Sequence, residues 1–179
     1  MEELRVDIRK HDPEELAKDQ KQMQLIYQIK HTMPGTEEMN VLLKELFGDR
    51  LGEGSMIAPP FSGAALDKLV IGKRCFINAN LLAMARGGIT IEDDVQIAAN
   101  VQLISNNHDP YDRAILTCKP VLIKQGAWIG AGASIMPGIT VGRYAIVGAA
   151  SVVTHDVGDY EVVAGNPARL IKTLDAEKF

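Results

Sequence analysis

His108 lies in Ser105-Asn106-Asn107-His108-Asp109-Pro110, where a six-residue spacing of aliphatic side chains is interrupted. An imidazole with its ordinary pKa near 6.5 can take up and return a proton at neutral pH. Help of that kind accelerates a reaction by about 10²–10⁴. A histidine at the root of a loop projecting from a rigid scaffold is placed to act on a neighbouring surface. A loop histidine can also simply cap a turn, and spacing alone leaves both readings open. Asn78 and Asn80, in Phe76-Ile77-Asn78-Ala79-Asn80, form a second constellation. Their amides could hydrogen-bond a reacting group, or they could be turn residues that tolerate a left-handed conformation.

The composition removes several function classes. A chain of 179 residues holds about one domain. Its formal charge is −4 and its pI about 5.6, so no basic excess points to nucleic acid. No apolar run approaches the roughly 20 residues of a membrane span. The start, MEELRVDIRK, has no apolar stretch of the secretory kind, so a cytoplasmic location is expected. Cys75 and Cys118 are too few for a disulfide framework or a four-cysteine zinc site, and no metal is expected. Aromatic residues make up 5% while glycine numbers 16, so the core should consist of small and β-branched side chains in tight, regular turns.

Two regions must position these groups. Residues 1–52 read as a helical segment. Asp12 is an N-cap, Pro13 the first helical residue, and Glu15 should reach back to close a capping box. Leu16, Met23, Ile26, Tyr27 and Ile29 follow on one face. After Pro34-Gly35 a second helix carries Met39, Val41, Leu42 and Leu46, with Gly48 as C-cap. Residues 53–179 change period. Aliphatic side chains recur every six residues at Ile123, Ile129, Ile135, Val141, Val147 and Val153, earlier at Ile91, Ile97 and Leu103, and first at Ile71 and Ile77. Small or aliphatic residues follow four positions later, at Cys75, Val95, Val101, Ala127, Ala133, Ile139, Ala145, Ser151 and Val157. Six is neither a helical nor a plain strand period. It fits a short strand, a turn and a new strand, three units making one triangular coil of a stacked solenoid. The period lapses over about residues 104–120, which should leave the solenoid as a loop. An ordinary β-sandwich would need six consecutive accidental hits.

These residues resemble the hexapeptide-repeat acyltransferases, and within them the maltose/galactoside O-acetyltransferases. The likeness runs through Pro59-Pro60-Phe61, the Phe76–Asn80 element, Asn107-His108-Asp109-Pro110, Ala127-Trp128-Ile129-Gly130-Ala131-Gly132, Pro137-Gly138-Ile139-Thr140-Val141-Gly142 and Val163-Ala164-Gly165-Asn166-Pro167-Ala168-Arg169. It implies a mainly β fold, a left-handed parallel β-helix with an N-terminal helical segment and a short C-terminal tail. It also implies a homotrimer with active sites between subunits, and transfer of an acetyl group from acetyl-CoA to a hydroxyl of a small acceptor such as a sugar. His108 would be the general base and Asn78 a catalytic and acceptor-binding amide. Asn80 and Asp7 would also contact the acceptor. The N–H of Ala131 would stabilise the oxyanion. Trp128, Gly130, Ala131 and Ala149, with Ala150 beside them, would line the pantetheine groove, and Thr154, Arg169 and Lys172 would hold the nucleotide end.

Three departures stand out. Family members usually carry Asp-Tyr-Gly after Pro-Pro-Phe, where this chain has Ser62-Gly63-Ala64. They carry an Asp five residues past the second Asn of the element, where this chain has Ala85 followed by Arg86. They often have Lys after the Thr, where this chain has His155. The donor half of the site is therefore expected intact and the acceptor half altered, leaving a non-sugar or xenobiotic acceptor as the alternative. A carbonic anhydrase on the same helix needs three histidine ligands, and within the repeats only His108 and His155 occur. A non-catalytic trimeric scaffold is the remaining alternative.

Overall fold

The computed structural model describes residues 3–10 and 12–179, so His11 lies outside it. The hexad aliphatics form its core. Ile123, Ile129, Ile135, Val141, Val147 and Val153 are each no more than 1% exposed, and the residues four positions later are buried with them. Parallel pairing explains why six is the period. Ile123 pairs with Val141, Ile129 with Val147 and Ile135 with Val153, each three hexads apart. Each strand therefore hydrogen-bonds the strand one full coil away, and its aliphatic residue stacks on an equivalent one inside a three-sided prism.

The three faces are three parallel stacks. Face one holds Leu69–Ile71, Ile89–Ile91, Val121–Ile123 and Thr140–Val141. Face two runs from Met56–Ile57 through Phe76–Ile77, Gln96–Ile97, Trp128–Ile129 and Ile146–Val147 to Glu161–Gly165. On its top edge Ala168–Thr173 returns antiparallel. Face three holds Ser62–Ala64, Leu82–Met84, Gln102–Ile104, Ser134–Ile135 and Val152–Val153. The architecture is the expected parallel β-helix.

One coil is longer than the rest. Ile91 pairs with Ile123, a separation of 32 residues where the next coil has 18, an excess of 14. Lys119 N–H donates to Ser105 C=O at 2.9 Å, and these residues are 14 positions apart, so the excess leaves and returns at one point. Ser105 pins that root. Its Oγ, fully buried, donates to Met84 C=O at 2.6 Å and accepts from Gly87 N–H at 2.9 Å.

The excursion expected as a loop is an antiparallel hairpin, Asn106–His108 against Ile115–Cys118. Its outer edge is covered by a strand, Leu4–Asp7, within the stretch expected to be helical. Here the helical reading of residues 1–52 is corrected. Leu4, Val6 and Ile8 alternate with Arg5, Asp7 and Arg9, a period of two that suits a strand on a sheet edge.

Helix α1, Pro13–His31, and helix α2, Glu37–Phe47, pack across the first coils. Asp12 caps α1 by accepting from Glu14 N–H. The capping box does not form: Glu15 instead reaches toward the solenoid and lies 3.5 Å from Arg86 Nη1. The buried face of α1 is Leu25 and Ile29, with Ile26 beside it, while Leu16, Met23 and Tyr27, expected inside, are exposed, as is Val41 of α2. Polar groups dock α1 instead. Gln22 Oε1 accepts from Leu66 N–H at 2.7 Å, and Arg86 reaches Asp19 at 3.2 Å. An apolar periodicity count cannot detect a face held by such groups.

Coil stacking leaves no space for a side chain at some turns. A Cβ on Gly130 would lie 2.6 Å from Ala149 N and 2.7 Å from Val147 O, both backbone atoms of the next coil. Gly132, with φ +69°, has nothing within 4 Å of its Cβ position. Gly132→Ala should therefore lower stability by about 1 kcal/mol, from the left-handed backbone alone. Gly130→Ala should cost more, about 2–3 kcal/mol, because two coils must separate. Thermal melts of the two variants check the order, and equal losses would contradict it. Truncating a stacked aliphatic, Ile135→Ala, should cost about 2–5 kcal/mol in the same measurement.

Candidate active site

His108 ends the outgoing hairpin strand and is exposed. Its Nδ1 lies 2.5 Å from Arg113 C=O. A carbonyl oxygen only accepts, so Nδ1 carries the proton. In the neutral ring Nε2 then holds the lone pair and is the basic atom. The orienting carbonyl belongs to a turn shaped by Asp109, whose Oδ1 accepts from Tyr111 N–H at 2.7 Å and Asp112 N–H at 3.2 Å. The Arg5 guanidinium, hydrogen-bonded to Asp109, holds that carboxyl below the usual carboxylate range, and the Tyr111 amide lowers it further. Arg5, Asp109 and the Arg113 carbonyl were not singled out from sequence. The alternation of Leu4–Arg9 was the available signal.

A second group of predicted residues stands along the edge between faces two and three. Asn78 N–H donates to Ile97 C=O, Ala98 N–H to Ile129 C=O, Gly130 N–H to Val147 C=O and Gly148 N–H to Val163 C=O, all at 2.8–2.9 Å. Asn78 and Gly130 are thus two coils apart, about 10 Å at the usual strand spacing. Asn78 Oδ1 accepts from Ala79 N–H at 2.7 Å, which leaves its NH2 group without a partner among the described residues. Asn80 has φ +63°, and Asn100, Gly132 and Ala150 hold the same left-handed position in later coils. Backbone conformation by itself therefore accounts for an asparagine at 80. Ala131 and Ala149 are exposed, and their N–H groups have no hydrogen-bond partner among the described residues.

Face two continues from this edge. Its register lines up the outward side chains Met56, Phe76, Gln96, Trp128 and Ile146 in one column. Trp128 is 51% exposed, and Met56 and Phe76 are exposed too. Val162 and Lys172 extend the column at the top, so Lys172 and Trp128 share a face. Arg169 pairs with Ala164 and lines a cavity of about 380 Å³ at the top of the prism, with His155, Asp156 and Glu161. Thr154 lies on the edge between faces three and one, its Oγ1 3.0 Å from His155 Nδ1.

Of the residues expected to contact the acceptor, Asp7 has both oxygens accepting from Arg9, from Nε at 2.8 Å and Nη2 at 3.0 Å. That guanidinium holds the Asp7 carboxyl below its ordinary range. Asp7 lines a cavity of about 210 Å³ with Lys10, Asp12, Glu15, Asp19 and Arg86. Ala85 is fully buried, and the Arg86 guanidinium is engaged by α1. Asn80 opens instead onto a cleft of about 480 Å³ walled by Met23, Ile26, Tyr27, Pro60 and Phe61.

The predicted residues thus fall into two sets. His108, Thr154 and Asp7 lie at or beyond the edge between faces three and one. Asn78, Asn80, Gly130, Ala131 and Ala149 lie on the opposite edge of face three, with Trp128, Arg169 and Lys172 beside them. No hydrogen bond links His108 to any residue of the second set.

Comparison with known proteins agrees with this architecture. The family described as "Bacterial transferase hexapeptide (six repeats)" matches residues 120–155, and "Hexapeptide repeat of succinyl-transferase" matches residues 68–104. Galactoside O-acetyltransferase of Escherichia coli K12 is 32% identical over 84% of this chain and 76% of its own length. A hexapeptide-repeat acetyltransferase of Vibrio cholerae, solved in complex with acetyl-CoA, superposes with a TM-score of 0.87 at 33% identity, covering 92% of this chain and 91% of that one. A galactoside acetyltransferase solved in complex with coenzyme A superposes equally well, TM-score 0.87 at 30% identity, covering 94% of this chain and 86% of that one. Stacked hexads, and relatives and superposable structures at these identities and coverages, place the chain in the hexapeptide-repeat acetyltransferase family.

Proposed function

We propose that the protein is an acetyl-CoA-dependent O-acetyltransferase in which His108 of one subunit acts on a hydroxyl at the groove of a second. The observation that carries this reading is the tautomer of His108, whose Nδ1–H is held by Arg113 C=O. Nε2 takes the proton of the acceptor hydroxyl as its oxygen attacks the thioester carbonyl. The imidazolium returns that proton to the departing thiolate. The Ala131 N–H is a preorganised donor for charge developing on the carbonyl oxygen. The unpartnered NH2 of Asn78 is a further donor toward the acceptor or that oxygen.

The edge between faces two and three fits acetyl-CoA. Gly130, Ala131, Ala149 and Ala150 present little side chain beyond the backbone, and the free amide of Ala149 suits a carbonyl of a pantetheine arm. The Trp128 ring lies on the adjoining face below Lys172. Lys172 and Arg169 supply cations for phosphates, with Thr154 contributed from the other edge of face three.

The two sets of residues are separated by face three. A hexad of extended chain spans up to about 20 Å, far beyond reacting distance. Two copies are needed to close the site, and the column Met56, Phe76, Gln96, Trp128 and Ile146, apolar except at Gln96, offers a face for the second copy. A homotrimer meets this requirement with three equivalent sites.

Relatives named galactoside and maltose O-acetyltransferase support a sugar hydroxyl as the acceptor, with Asp7, Asn78 and Asn80 as its contacts. One observation favours a less polar alcohol. Ala85 is buried and Arg86 is tied to α1, so this stretch offers no free carboxylate, and Asn80 opens onto a cleft with Phe61 and Ile26 in its walls.

His108→Ala should lower kcat by about 10²–10⁴ while acetyl-CoA binding, read by calorimetry, stays unchanged. Thiol release measured across sugars, amino sugars and aryl alcohols identifies the acceptor class. Full turnover in His108→Ala would refute the assigned base, and failure of the parent to bind acetyl-CoA would favour a scaffold.

A further inference from the structure

The N-terminal strand Leu4–Asp7 lies outside the solenoid, yet it is built onto the one excursion that carries His108. Leu4 pairs with Cys118, Arg5 with Thr117, Val6 with Leu116 and Asp7 with Ile115, and Ile8 N–H continues to Ala114 C=O at 2.9 Å. Glu3 adds an ion pair to Lys119 at the hairpin root, 3.4 Å.

The tip of the hairpin, residues 109–113, is organised by two aspartates that divide their oxygens alike. Asp109 directs Oδ1 inward to the N–H groups of Tyr111 and Asp112, and Asp112 directs Oδ1 to Ala114 N–H at 3.1 Å. Each directs Oδ2 outward to an arginine of the N-terminal segment. Asp109 Oδ2 meets Arg5 Nη2, and Asp112 Oδ2 lies 3.0 Å from Arg9 Nη2. Arg9 also takes both oxygens of Asp7. Three carboxylates thus gather beside the hairpin, and Arg5 and Arg9 are the cations that bind them. The turn so fixed presents Arg113 C=O to His108 Nδ1, and Arg113 Nη1 closes it by donating to Asp109 C=O at 2.8 Å.

We infer that Arg5 and Arg9 are positioning residues of the transfer reaction: through Asp109 and Asp112 they hold the turn whose carbonyl keeps the His108 proton on Nδ1 and Nε2 free. The inference rests on His108 as the base. Both arginines are more than half exposed, so their ion pairs add little to global stability. Their effect is on geometry, where a misplacement of about 1 Å can cost on the order of 10²-fold in rate. This N-terminal strap leaves the acetyl-CoA groove, on the far edge of face three, untouched; because Arg9 also holds Asp7, the single variant Arg5→Met isolates the effect on His108.

The test is the double variant Arg5→Met/Arg9→Met in the full chain. Long-range 1H–15N spectra of histidine-labelled protein report which ring nitrogen of His108 carries the proton. The parent should show the Nδ1–H form, and the variant a mixture with Nε2–H. kcat should fall about tenfold or more, with the KM for acetyl-CoA held within about twofold and the melting temperature nearly unchanged. Arg5→Lys/Arg9→Lys should recover part of kcat, since a point charge lacks the guanidinium fork. If the double variant does not fold, single Arg5→Met is judged by the same readouts. Parent-like kcat and tautomer in the variant would overturn the inference. Loss of turnover in His108→Ala alongside a fully active arginine variant would sink the strap only. Full turnover in His108→Ala would sink the base and the inference with it, whatever the tautomer spectra show.

Discussion

The constraint on which everything else depends is the hydrogen-bond ladder between successive coils. Because every strand pairs with the strand one coil away, all coils must have the same cross-section, and each inward side chain must match those above and below it. That is why aliphatics of one size class occupy the hexad positions and why a glycine such as Gly130 faces backbone rather than side chain. It also makes the edges straight. A straight edge of small residues with free amides suits a long, thin donor molecule.

The same ladder cannot build a general base. A residue in the solenoid points either into a dry core or onto a flat face, and neither position brings an imidazole up to a ligand on another edge. The hairpin solves this by leaving the prism at a single pinched root between Ser105 and Lys119, so the coils on either side keep register. Freed from the ladder, it needs its own stiffening, which comes from the edge strand, the two aspartates and the arginines that bind them. His108 therefore stands on a three-stranded sheet of its own, and the edge proposed to receive the donor stands on the solenoid. Face three lies between them within one chain, which is why the proposed site needs two copies.

Much of this was legible in the residues, for a physical reason. A repeat stacked against itself applies the same steric test at each coil, so Ile123 to Val153 could be read as inward residues, one on each face in turn, before any contact was known. The break at His108 was equally visible, since a ladder cannot lose register unnoticed. What the sequence concealed were one-off arrangements. Leu4–Asp7 alternates as a strand, but its partner lies more than a hundred residues away, and a neighbouring helix start at Asp12 drew the whole segment into one reading. Helix α1 turns Met23 and Tyr27 outward because Gln22 and the acidic residues facing Arg86 dock its inner side. Asn80 shows the limit from the other direction. Its residue type fits an acceptor contact, yet its left-handed backbone recurs at Asn100 and accounts for it equally well.

The central claim is that two copies share each site, and mixing inactive chains tests it most directly. One chain carries His108→Ala, and the other carries Ala131→Tyr, which fills the groove from an exposed position and leaves the hairpin intact. If base and groove come from different subunits, refolding the two together in equal amounts should restore about one quarter of parental activity, the statistical share of sites that receive two sound halves. Mixed assemblies that form, verified by differential tagging, and stay inactive would show that each chain uses its own histidine and groove, and the account would be wrong.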